Sequence, residues 1–259
     1  MRFIFFPERE LKMINDIGTS RYELGMIMKT GWAEFLKNFK TILPVALLIY
    51  IPVNVILAFI PLDYLVEHFG AGRGLNIYMK IVQLLEFFIG VLATMAIAKI
   101  IEESVLGRSI SWKDAFRFSL SRWSASIGTS ILGGLIILGM TLLLIIPGII
   151  WWFYYIFLIY AIALRGLSGK TALDYSKAIV KGQWWRVFWY SIVIGIINLV
   201  VSVIIGLPFG FMPENIITET ISGTFSDVVS MLFSVMMIIF FLNCDYLKNR
   251  TVETGKETP

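Results

Sequence analysis

Residues 187–207 read VFWYSIVIGIINLVVSVIIGL, 21 positions without one charged side chain, directly after Lys181-Gly182-Gln183-Trp184-Trp185-Arg186. As a helix such a run rises about 30 Å, the thickness of a bilayer's hydrocarbon. The run is continuous rather than alternating, which argues against a strand. A backbone placed in lipid must also satisfy its own hydrogen bonds, as a helix does. Five further predominantly apolar runs lie around it, at 41–61, 81–101, 126–146, 149–164 and 226–247, with charges only in the second and last of them. Composition agrees: the chain is 58% hydrophobic and 15% charged, against about 25% charged in soluble domains.

The expected architecture is therefore all-α: a polytopic membrane protein with six transmembrane helices in 41–247. A segment at 1–40 precedes them and a tail at 248–259 follows. Residues 1–6 hold one arginine and a short apolar patch, followed by Pro7 and the charged Glu8-Arg9-Glu10. That is no cleavable signal, which needs an apolar core of about 7–15 residues, so the first run should act as an uncleaved anchor.

Of the 22 Lys and Arg residues, seven precede the first run, five lie from the inner end of the second (Lys99) to the start of the third, five between the fourth and fifth, and three in the tail. Only Arg73 and Lys80 fall on the other side. The positive-inside rule then places both termini in the cytoplasm. Trp151, Trp152, Tyr154 and Tyr155 open the fourth run, where the outer interface is expected. Trp184, Trp185 and Trp189 enter the fifth at the inner one.

Each odd-numbered run is preceded by a basic, aromatic segment: Gly31 to Lys40, Ser111 to Trp123, and Thr171 to Arg186. Bulky apolar residues recur there at helical spacing among cations, as in short amphipathic helices lying in the interface. The pattern suggests three copies of interfacial helix, span, span, with Pro147-Gly148 forming the turn between the third and fourth spans. Lys37, Lys40, Arg117, Arg122, Lys177, Lys181 and Arg186 are the candidate contacts for anionic lipid, each contributing roughly 1 kcal/mol near a charged leaflet. Ser126, Ser130 and Gly134, and Ser191, Gly195, Asn198, Ser202 and Gly206, form small-residue stripes suited to close helix packing.

Polar groups inside the runs are costly and so point to function. Glu86 and Asn54 sit in the outer halves of the second and first spans and could share a level and a hydrogen bond. Asn198 is mid-span. Pro52 and Pro208 interrupt helices, and Asp227, at the outer end of the sixth span, is expected in water.

Catalytic signatures are absent. The single His68 and single Cys244 exclude a histidine pair, a disulfide and a cysteine metal site. Glu102-Glu103 and Arg108 invite comparison with prenyl-processing membrane proteases. However, four residues separate the pair from the arginine where that motif has three, and the partner histidines are missing. Arg165-Gly166-Leu167-Ser168-Gly169-Lys170-Thr171 lacks the spacing of a phosphate loop.

One longer stretch is more specific. It runs Ile146-Pro147-Gly148-Ile149-Ile150-Trp151, an aromatic span, Ala172-Leu173-Asp174-Tyr175-Ser176, then Lys181-Gly182-Gln183-Trp184-Trp185-Arg186-Val187-Phe188. It resembles the bacterial six-span family related to the membrane domain of glycerophosphoryl diester phosphodiesterases. The resemblance implies a bacterial inner membrane. It carries over no activity, because in that phosphodiesterase a separate soluble domain performs hydrolysis. The expectation is a non-enzymatic membrane protein without metal, cofactor or nucleic acid. It would be a scaffold, accessory or protection component acting with anionic lipid or a protein partner. The alternative is a small transporter or lipid-handling protein with a path between the repeats.

Overall fold

The computed structural model describes residues 17–60, 62–213 and 215–254. The reading of residues 1–6, the cations Arg2, Arg9, Lys12 and Lys256, and also Pro61 and Glu214, lie outside the described residues. Among those described the regular elements are all helical. They are α1 (Leu24–Ala58), α2 (Leu62–Phe69), α3 (Ala71–Leu85), α4 (Val91–Val105), α5 (Trp112–Leu143), α6 (Ile145–Tyr154), α7 (Leu158–Arg165), α8 (Gly169–Val180), α9 (Trp184–Gly206) and α10 (Ile216–Thr254). A π-helical turn, Glu86–Gly90, links α3 to α4, and a 3-10 turn, Leu207–Phe211, follows α9. Six stretches are long and apolar enough to cross a membrane, so the chain is an all-α, multi-pass membrane protein.

The core is built by α1, α4 and α10. Ile42, Val45, Ala46 and Ile49 meet Ala93, Ala96, Ile97 and Ile100 and the Val235–Leu242 stretch of α10, with Phe157 of α7 completing the cluster. α9 is among the most apolar helices, yet only Val187 and Ile194 are buried. Trp185, Trp189, Ile196, Leu199, Val203 and Ile204 are exposed, an arrangement suited to lipid rather than water. The approach of α1 to α10 depends on Gly31, where a Cβ would lie 2.6 Å from Met236 Cγ and 2.9 Å from its Cα.

The helix boundaries differ from the sequence reading in physically explicable ways. The first two expected interfacial helices are not separate elements. They are the starts of α1 and α5, because nothing between Lys40 and Thr41, or between Trp123 and Ser126, breaks a helix. At 1.5 Å per residue the 35 residues of α1 rise about 52 Å, so its first turns project beyond the hydrocarbon. The third segment does form its own helix, α8, closed by Lys181 and by Gly182 at φ +87°. α1 runs straight through Pro52, with Asn54 Nδ2 donating back to Tyr50 O at 2.9 Å. α10 begins at Ile216, ten residues before the apolar run, since its polar first turns are also helix-compatible.

The turn between the third and fourth runs is at Leu144, extended at φ −160°, and not at Pro147-Gly148. A proline ring clashes with the carbonyl four residues earlier, here Leu143, so the helix must stop before Pro147's own first turn begins. Gly148 then packs on Thr141 so closely that a Cβ would overlap the hydroxyl. By contrast Gly134, Gly195 and Gly206 have nothing within 4 Å of an added Cβ. The small-residue stripes are thus not where helices come closest. The fourth run is itself interrupted at Tyr155–Phe157 and divides into α6 and α7.

An added feature is the α2–α3 hairpin, turned by Gly70 at φ +80°. Gly74 lies so close that a Cβ would sit 2.5 Å from the Leu65 carbonyl. The hairpin carries Asp63 and Glu67 at one end of the bundle, called here the acidic end. Arg165, Arg186 and the start of α1 mark the opposite, basic end.

Candidate functional site

Two polar constellations stand out. The first lies under the acidic end, between α1, the π-turn, α4 and α10. Tyr50, Glu86, Thr94, Ile97, Asp227, Ser230, Met231 and Ser234 surround a cavity of about 290 Å³. Asn54, 9% exposed, donates Nδ2 to Asp227 Oδ2 at 2.7 Å and to Thr224 Oγ1 at 3.4 Å. Its amide rests on Gly223, where a Cβ would overlap Oδ1. Asp227 is therefore half-buried and held by Asn54, not free in water. The reason is that α10 packs along α1 and presents this carboxylate to it. Glu86 and Asn54 do not bond each other, but both border the same region, one through the cavity and the other through Asp227.

The π-turn positions Glu86. An extra residue in a helical turn releases a carbonyl from the regular ladder, and Phe88 O accepts a bond from Trp123 Nε1 at 2.5 Å. Glu86 folds over Gly90, where a Cβ would collide with the carboxylate.

An open vestibule of about 480 Å³ lies beyond Asn54, lined among others by Asp63, Tyr78, Glu219 and Ser222. Ser230 and Ser234 also line a third cavity of about 260 Å³, which contains Ser191, Gly195 and Asn198. Hence the three polar residues singled out in the sequence, Asn54, Glu86 and Asn198, each border a cavity; those of Glu86 and Asn198 share the wall of Ser230 and Ser234, and that of Asn54 meets the Glu86 cavity only through the Asn54–Asp227 bond. Among the described residues no group of three or more His, Cys, Asp or Glu side chains could hold a metal.

The second constellation, at the basic end, escaped the sequence reading. Arg165 donates to Glu102 Oε1 at 2.6 Å and to Asp245 Oδ2 through Nε at 2.9 Å and an Nη at 2.5 Å. The Tyr175 hydroxyl donates to the other Asp245 oxygen. Burial pushes that hydroxyl above the ordinary phenol range, and its bond to Asp245 pushes it the same way. Beside this cluster Asn243 donates to Ile17 O at 2.7 Å and Ser20 O at 2.9 Å. These groups tie α4, α7, α8 and α10 to the chain ahead of α1. The signal that could have found them was already in the sixth run, where Asn243 and Asp245 are polar side chains inside an apolar stretch.

The seven candidate lipid contacts divide. Lys40, Arg117 and Lys181 are exposed. Lys37 is half-exposed and donates to Glu34 Oε1 at 3.3 Å and Ser104 O at 3.4 Å. Lys177 lies 4.1 Å over the Trp151 ring. Arg122 bonds Ile162 O at 3.2 Å and covers Phe118. Arg186 turns inward, donating to Tyr22 O at 2.6 Å and Asn243 Oδ1 at 3.0 Å, so its hydrogen-bonding capacity is spent within the bundle. Glu103 and Arg108, the pair that prompted the protease comparison, form a local ion pair at 2.5 Å.

No curated protein and no solved structure matches the chain. A family model described as a domain of unknown function, DUF7847, matches residues 78–244, from Tyr78 in α3 to Cys244 in α10. The match takes in the π-turn, Glu86, Arg165, Asn198 and Asp227; Asp245 falls just outside it, and Asn54, in α1, precedes it. Covering well over half of the 259 residues, it shows that this chain belongs to the DUF7847 family.

Proposed function

We propose that this is a non-enzymatic protein of a bacterial cytoplasmic membrane that admits a small cation from its acidic end, as a transporter or solute-binding component would. Both termini then lie in the cytoplasm and the vestibule opens outward. The twenty-to-two charge split supports that orientation. The resemblance of residues 146–190 to the phosphodiesterase-related family supports the bacterial membrane.

The observation that carries the reading is the polar cavity bordered by Glu86 and Asp227 from two different helices, beneath an open vestibule. Carboxylates at such depth are costly unless a counter-charge or water reaches them. Their wall of hydroxyls from Tyr50, Thr94, Ser230 and Ser234 suits a partly dehydrated cation. Exposed Lys40, Arg117 and Lys181 support the second reading, in which the basic end grips anionic lipid or a protein partner as a scaffold.

Purified protein in liposomes, with sodium, potassium or proton gradients imposed in turn, tests the first reading. Wild type should dissipate at least one gradient, and Glu86→Gln/Asp227→Asn should slow that by about tenfold or more, the equivalent of 1.4 kcal/mol. Wild-type rates equal to protein-free liposomes for all three ions would remove the cation reading.

A further inference from the structure

We infer that the α5–α6 turn stops inside the hydrocarbon on the basic side of its midplane, so that the hairpin packs among acyl chains of that leaflet and never reaches water at the acidic end. All six stretches meet the length and apolarity needed for crossing, but depth is fixed by what each segment touches.

The partners of α6 belong to the basic end. Trp184, the first residue of α9, donates Nε1 to Ile150 O at 3.3 Å. Phe153 packs on Trp184 and Phe188, with ring centroids 5.7 and 4.9 Å apart. Ser176 of α8 donates to Tyr154 O at 2.8 Å, and Lys177 caps Trp151. The aromatic group expected at the outer interface is therefore beneath the basic helix α8. At the other end of the same run, Arg165 is bound to Asp245 and Glu102. Between these two attachments Ile156 and Tyr160 reach down to the cavity of Asn198. The run thus dips from the basic end and returns to it, bending at the Tyr155–Phe157 break.

Lengths decide how far the turn can extend. From Trp184 to Gly206, which lines the acidic-end vestibule, α9 rises about 33 Å over 22 residues. From Ile150 back to Leu144 there are six residues, about 9 Å even if α6 pointed straight toward the acidic end. Measured along α6, the turn therefore covers less than a third of that depth; α5, whose 32 residues rise about 48 Å, reaches it by running obliquely, bonded on the way to Ile162 O through Arg122 and to Gly169 N–H through Thr129 Oγ1.

Its chemistry fits the same place. Leu142 to Ile146 are 68–79% exposed, and no polar side chain occurs from Leu142 to Ile150. The acidic-end connections, in contrast, carry Asp63, Glu67, Asn215 and Glu219. Part of the turn's backbone is bonded within it: Leu144 N–H donates to Met140 O at 3.1 Å and Gly148 N–H to Leu144 O at 3.4 Å, which lowers the cost of placing it in lipid. The charge split is unaffected, because α5 enters and α8 leaves at the same end.

The test uses Ile145→Cys in the full chain, with Met212→Cys and Lys181→Cys as references for the two ends. Cys244 is buried, so wild type is the blank. A membrane-impermeant maleimide is applied to intact cells and to inverted membrane vesicles. Each reference should label from one side, and Ile145→Cys from neither. Spin labels on the double variants should place position 145 at least about 10 Å closer to 181 than to 212, the difference expected from the two helix lengths. Labelling of Ile145→Cys from either side, or a 145–212 distance no longer than 145–181, would overturn the inference.

Discussion

Arg165→Met is expected to destabilise the folded protein by about 3–5 kcal/mol, the range for removing one partner of a buried ion pair. Asp245 is fully buried and Glu102 is 5% exposed, and Arg165 is the cation between them. Without it Asp245 retains only the Tyr175 hydroxyl from this cluster, and Glu102 keeps Lys99 at 3.4 Å. Both carboxylates would remain desolvated. The same guanidinium stacks over Phe241 and Tyr246 at 5.9 and 5.7 Å, and methionine keeps part of that packing, so the loss reports charge more than volume. The melting temperature in detergent should fall by on the order of 10 °C. Asp245→Leu should cost a similar amount, because it leaves Arg165 half-paired. The double variant should lose less than the sum by about 2 kcal/mol or more. A single variant melting within a degree or two of wild type would show that the cluster is solvated and contributes little.

Gly31→Ala is expected to cost about 1–3 kcal/mol, the usual range for an overpacked contact. The added methyl would meet Met236 Cγ at 2.6 Å, which a flexible side chain could relieve, but also Met236 Cα at 2.9 Å, which belongs to a helix backbone. α1 and α10 must therefore separate. The consequence reaches both ends of the pair, since Asn54–Asp227 and Asn243 with the chain ahead of α1 each depend on that spacing. Gly139→Ala supplies the contrast: an added Cβ has nothing within 4 Å, and alanine favours a helix by up to about 1 kcal/mol over glycine. Gly31→Ala matching Gly139→Ala in thermal unfolding would refute a spacing role for Gly31.

The six apolar runs were legible because the length of an uninterrupted run needs no knowledge of neighbours. Their ends were less so. Hydropathy marks where a helix leaves lipid, whereas the helix itself stops at a breaker, which is why α1, α5 and α10 overrun their apolar cores and α8 does not. Asn54, Glu86 and Asn198 were visible as polar positions inside runs. Asp227 was visible too, but its partner Asn54 is 173 positions away, and no local pattern pairs them. Arg165 and Asp245 are 80 positions apart, and no local pattern pairs them either. Trp151 illustrates the limit most clearly. An aromatic at the start of a run fits either interface, and only its contacts with Lys177 and α8 assign it to the basic one.

The central claim is that the cavity between α1, α4 and α10 admits cations from the acidic end, and it can be tested without knowing the solute. Ser230→Cys places a thiol in the wall shared with the Asn198 cavity. Cationic and anionic methanethiosulfonates of matched size would be applied from the acidic end. The cationic reagent should react at least about tenfold faster, as expected where like-signed groups focus the field in a cleft, and Glu86→Gln/Asp227→Asn should remove the preference. Equal rates for the two reagents, or no reaction from that end, would contradict a cation-admitting cavity.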